Sequence, residues 1–424
     1  MESKEPMEPI EPMEPVEPVE PILPAEDDEP AEPAGDQENQ TGAADAVRET
    51  LRAYRKKKGS RIMTGIAVAL ALLIGFVLFQ NYRHYSGVSL STNARFLSED
   101  GAEIINMNGY IVQYSRSSAG CWNTRGEQQW IETYDMQQPR AAVEGEVLAI
   151  ADIEGYTVLV FDKEGLRGRI STERPIHGFT LSECGEVAVI MNETGATWIR
   201  LFSASGREIA YLVRYMSIHG YPMAMAISPN GERLSISSLE IVDGVIKTDM
   251  AFHSFGEEGA EKENNLLGES EFSGEVFPFT HFMTDDTFVA VSDSRLAYYS
   301  IGKELKNTIS NMISEEIRGV YYNSQYMGLL FTDTSGDHQY RLDLYDKHGD
   351  KKSSVSFTMD FTALQIVGGC IYLNNDQELQ IYTIRGREIF NGSIGTTVRA
   401  VIPSSQARRM TIVTESEIDT LRLK

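Results

Sequence analysis

The chain has 424 residues, with 62 Asp and Glu against 38 Lys and Arg, a formal net charge of −24. So acidic a chain excludes nucleic-acid binding, which needs a basic surface to displace counterions. The charge is also segregated along the sequence, so the chain reads as four physically different pieces rather than one soluble globule.

The first piece, residues 1–47, holds 15 acidic residues and one lysine. Glu-Pro recurs every third residue from Glu5-Pro6 to Glu20-Pro21, and nine of the 15 prolines precede residue 34. Each proline fixes its own φ and extends its predecessor, which predicts polyproline II with three residues per turn. A period of three on such a helix gathers Met7, Ile10, Met13, Val16, Val19 and Ile22 into one apolar stripe. Two readings follow. One is a disordered, self-repelling spacer; the other is a docking stripe for a cytoplasmic partner.

Residues 48–61 hold seven basic residues and one acid. The run from Ile62 to Phe79 then has no charge and no proline over 18 residues. At ~1.5 Å per residue it spans roughly 27 Å, which predicts a transmembrane helix completed by Gln80, Asn81 and Tyr82 at the interface. It begins too far from residue 1 for a cleaved signal peptide and reads as a signal anchor. Arg55, Lys56, Lys57, Lys58 and Arg61 precede the run, and only Arg83 follows closely. The positive-inside rule therefore predicts a cytoplasmic N-terminus and an extracytoplasmic C-terminal domain in a single-pass topology.

From residue 86 to 424 the pattern is a repeat. An aromatic residue followed four positions later by glycine recurs at Gly126, Gly165, Gly206, Gly256, Gly302, Gly349 and Gly386, spaced 37 to 50 residues apart. An alternating strand such as Thr157–Phe161 ends in the aromatic, and the glycine turns the chain into a second strand. Two more short strands precede each copy, giving four strands per unit, near the length of a propeller blade. Seven units are complete. An eighth, Val398–Ile402, Met410–Val413 and Ile418–Leu423, lacks its fourth strand, which Gly87–Phe96 is placed to supply. The expected fold is an all-β propeller of eight blades, with seven as the alternative; two tandem β-sandwiches are the competing architecture.

Ile227-Ser-Pro-Asn-Gly231 resembles the turn of WD-repeat and YVTN-type propellers, and the Val158–Gly165 hairpin is similar to quinoprotein-like propellers. The layout as a whole resembles an uncharacterised bacterial family of membrane proteins with one helix and an outer propeller-like domain. The quinoprotein docking element is matched only in part, by Gly126-Glu-Gln-Gln-Trp130, so the resemblance implies a fold and no quinone cofactor.

Candidate chemistry is sparse. The seven histidines show no metal-ligand spacing, and Asp333, Asp337 and Asp343 fit no calcium loop. Cys121, Cys184 and Cys370 are odd in number and far apart, and read as buried free thiols, with one long-range disulfide between blades as the alternative. No catalytic, cofactor or metal residue is assigned. The expected function is an anchored binding or scaffold propeller for protein or envelope-polymer partners. Two alternatives are a transducer signalling through the Glu-Pro tail and a propeller hydrolase or lyase. The last predicts titratable side chains converging in the central channel with shifted pKa values. The acidic insertion Gly256–Val276 is the first loop to test as a partner surface, and its competing reading is a solvated, disordered acidic loop.

Overall fold

The structure, a computed structural model, describes residue 63, residues 66–75 and residues 84–424 except 97, 100, 303, 304, 405 and 406. The Glu-Pro tail, the basic residues Arg55, Lys56, Lys57, Lys58 and Arg61, and the helix ends Ile62 and Phe79 lie outside the described residues. Two compact units divide the chain, Met1–Tyr82 and Arg83–Lys424. In the first, residues 66–75 are helical and their apolar side chains are exposed all round, from Ile66 to Ile74. Among the described residues no helix is long and apolar enough to cross a membrane.

The second unit is eight four-stranded antiparallel sheets. In the first seven, chain order is also spatial order. Blade 1 runs from Glu103–Met107 through Tyr110–Tyr114 and Ser118–Trp122 to Gln128–Thr133, and blades 2 to 7 repeat the plan from Pro139 to Ser393. Blade 8 is composite: Ala400–Pro403, Arg409–Val413 and Glu417–Leu423 come from the C-terminus, and Val88–Arg95 pairs against Glu417–Leu423 as the outer strand. Among the described residues, the first strand after the helix thus closes the ring, and no blade there has an open fourth position.

Burial follows strand position. Second and third strands, such as Val147–Asp152 and Thr157–Asp162, are buried at successive residues because another blade covers each face. Fourth strands alternate, as in Leu266–Ser273, because one side meets water. Among the described residues the core falls into eight apolar clusters, one at each junction between neighbouring blades. The junction of blades 8 and 1 packs Ile402, Val413 and Ile418 with Ile111, and Phe96 belongs to the same cluster.

The seven repeat glycines all lie where the third strand turns to the fourth. Five of them, Gly126, Gly165, Gly206, Gly349 and Gly386, have positive φ; Gly256 and Gly302 do not. The five turns with positive φ also seat on the outer strand of the preceding blade. A Cβ on Gly206 would stand 2.2 Å from the Arg169 carbonyl oxygen of blade 2. One on Gly126 would stand 2.3 Å from Ala94 Cβ, on the strand that completes blade 8. Trp130 makes the same kind of junction with a side chain: it stacks on Phe161 of blade 2 at 4.7 Å and donates its indole N–H to the Asp162 carbonyl at 2.8 Å.

The insertion Gly256–Val276 is shorter as a loop than its sequence suggests, since Leu266–Ser273 is the outer strand of blade 4. Its start is tied down: Arg233 donates to Glu258 at 2.9 Å and to Asp286 of blade 5 at 2.6 Å. Cys121 is buried as expected, but Cys184 is exposed in a turn of blade 3 and Cys370 is half-buried; all three are free thiols.

Candidate functional site

The first strand of every blade lines the central channel. Where these strands run out and turn back into the second strands, the channel widens into a cavity of about 880 Å³. All eight blades contribute to its wall, with one or more residues each. Strand register places the ends of the ring on this face. Pro403 pairs with Met410, Arg409 with Arg422, and Val88 with Leu423, so the chain both enters and leaves the propeller beside the cavity mouth.

The wall has two chemically distinct sides. On blade 2, Glu144 ends the strand Pro139–Glu144, and Gly145 follows with φ +57. Glu183 comes from the corresponding turn of blade 3 and lays its side chain over Gly145, where a Cβ would meet Glu183 Cγ at 3.4 Å. Burial pushes the Glu144 carboxyl up to about 7, and the Glu183 charge beside it adds to the rise. The side chain is half-buried, and the walls around it leave its charge poorly solvated.

The facing side is aromatic. His281 lies on blade 5 and Tyr322 on blade 6, directly across the ring from blade 2. Their rings meet at 4.0 Å between centroids, and Phe279 backs both. Tyr322 lines the cavity and is 40% exposed. Burial lowers His281 to about 4, so its imidazole is neutral at physiological pH. Burial raises the Tyr322 hydroxyl to about 12, and the Glu144 charge reaching across the channel contributes. Among the described residues, Glu144 and Glu183 are the only carboxylates in the wall, and no Lys or Arg lines it. The nearby Arg167 is turned to the Cys184 carbonyl at 3.1 Å and to Asp162 at 3.7 Å.

Residues 81–423 match the model of a family of unknown function, DUF5711. The chain belongs to that family. No curated protein matches it. Among solved structures it is similar to BamB from Moraxella catarrhalis, at 13% identity and a TM-score of 0.48, over 79% of this chain and 100% of that one. It is also similar to the Neurospora crassa Pan2 WD40 domain, at 7% identity and a TM-score of 0.43, over 79% and 95% of the two chains. The Kluyveromyces lactis protein Hsv2p aligns at 8% identity and a TM-score of 0.41, over 69% and 97%. The eight-bladed fold rests on the strand pairing above and not on these likenesses.

The residues singled out from sequence do not meet at this cavity. The repeat glycines sit in the turns between third and fourth strands, at blade junctions, and Pro229 of the Ser228–Gly231 turn is the motif residue that reaches the wall. Asp343 is buried and bonded to Arg341, Lys351 and Ser354. Among the described residues no group of three or more His, Cys, Asp or Glu side chains could hold a metal. Sequence reading missed Glu144, Glu183, His281 and Tyr322. Their shared signal is positional: each stands within two residues of the end of a first strand.

Proposed function

We propose that the chain is a membrane-anchored, extracytoplasmic propeller that binds a protein or envelope polymer at the mouth of its central channel. The observation that carries the reading is the cavity to which all eight blades contribute. A concave mouth with a few convergent polar groups on a rigid frame is the usual form of a binding site. Membrane anchoring is supported by the uncharged run 62–79, by the basic residues before it, and by the exposed apolar side chains of helical residues 66–75. In this reading residues 1–47 are the cytoplasmic tail.

A peroxidase fused at the C-terminus, beside the mouth, tests the proposal in intact cells. The account expects a short, reproducible set of labelled envelope components, lost when Ser324→Trp obstructs the mouth from an exposed turn. An unchanged set in that variant contradicts it.

The convergence of Glu144, His281 and Tyr322 also supports a second reading, a propeller hydrolase or lyase using Glu144 as acid–base group near neutral pH. Against it, no hydrogen bond joins these side chains to one another among the described residues. The binding reading therefore leads.

A further inference from the structure

We propose that the channel mouth holds an alkylammonium group between an acidic wall, Glu144 and Glu183, and an aromatic wall, Tyr322 and His281. The group is carried by a lysine side chain of a partner or by a free polyamine. This inference rests on the binding reading and names the chemistry of that site. Four observations point to it. The mouth is a confined space with carboxylates and no Lys or Arg in its wall, so its field attracts cations and repels anions. Tyr322, part of the cavity wall and 40% exposed, supplies a π surface for a desolvated cation. The His281 ring is crowded by the channel wall, and neither of its nitrogens has a hydrogen-bond partner among the described residues. Because that imidazole is neutral, its free lone pair can accept from an ammonium N–H, and an ammonium carries three such donors.

The lining selects an organic cation over a metal ion. Glu144 and Tyr322 come from opposite blades of a cavity of about 880 Å³. A hard cation needs six or more oxygen ligands, and among the described residues no three His, Cys, Asp or Glu side chains converge to hold one. An extended alkyl chain ending in an ammonium can fill such a mouth, and its methylenes match Ile227, Ile366 and Ile402 in the same wall.

The test is calorimetric titration of the full-length chain in detergent micelles. The probes are spermidine, the peptide acetyl-Ala-Lys-Ala-amide, and the same peptide with norleucine in place of lysine as a neutral isostere. The account expects both cationic probes to bind and the norleucine peptide not to. The tighter of the two cations assigns the source as a free polyamine or a partner's side chain. The double substitution Glu144→Gln with Glu183→Gln should weaken binding by about tenfold or more. Glu144→Asp with Glu183→Asp keeps the charge and should retain most of the affinity. Tyr322→Phe should bind as wild type, and Tyr322→Ala about threefold or more weaker. A thermal melt of each variant separates lost binding from lost fold. Equal affinity for lysine and norleucine, no binding of either cation, or undiminished affinity in the folded Gln double variant overturns the proposal. If the inference fails in one of these ways while Ser324→Trp still abolishes partner labelling, the binding reading stands alone. If labelling survives Ser324→Trp, that reading falls.

Discussion

Glu144 and His281 line the same cavity from facing sides and titrate in opposite senses. Folding raises the Glu144 carboxyl from 4.5 to about 7, so between these values the folded chain holds a proton that the unfolded chain has lost. The stability this group contributes is complete below pH 4.5 and is lost as pH rises through about 7. Folding lowers His281 from 6.5 to about 4, so there the unfolded chain binds the extra proton. Its contribution is present above pH 6.5 and is lost as pH falls toward 4. Glu144→Gln should therefore raise the melting temperature relative to wild type at pH 7.5 and make little difference at pH 4.5. His281→Phe should flatten the decline between pH 6.5 and 4.5. Melting curves of the two variants across this range check both signs. Neither residue was legible in the sequence as functional. Glu144 and Tyr322 are far apart along the chain, and nothing in the spacing of a lone Glu and a lone Tyr says that blade 2 will face blade 6.

The blade junction is the element on which stability turns. Phe161 is wholly buried, stacked on Trp130 from the neighbouring blade. Phe161→Ala should cost about 3–5 kcal/mol in chemical denaturation, through lost burial and the cavity left behind. Gly206→Ala introduces a Cβ both at φ +88 and against the Arg169 carbonyl. It should destabilise by about 1–3 kcal/mol, more than alanine at Gly302, which has no such neighbour. Similar losses at the two glycines would show that neither the positive φ nor the contact with the preceding blade sets the role of Gly206. The strand plan was legible because each aromatic-to-glycine unit marks one hairpin, and alternation marks its strands. The junction role of the glycines was not, because a close approach between blades leaves no local pattern. The insertion Gly256–Val276 misled for a related reason: the glutamates of its outer strand, Glu269 and Glu271, point to water and resemble loop composition.

For the whole molecule, the partial eighth unit at the C-terminus and the spare strand after the apolar run together specified closure, because an open fourth position would leave an unpaired edge. Pairing of Val88–Arg95 with Glu417–Leu423 joins the two ends of the domain. Removing residues 1–96 should therefore yield an aggregating chain, while a chain starting at residue 83 folds cooperatively; size-exclusion chromatography and a thermal melt distinguish them. The same pairing places both ends of the ring beside the channel mouth. The exposed thiol of Cys184 follows directly on Glu183 of the mouth wall. That thiol gives the most direct measurement of an external binding propeller: labelling of intact cells with a membrane-impermeant maleimide, with Cys184→Ser as the control. The account predicts labelling in intact cells, abolished in the Cys184→Ser variant and slowed by added spermidine. Labelling that occurs only after the cells are permeabilised would contradict it.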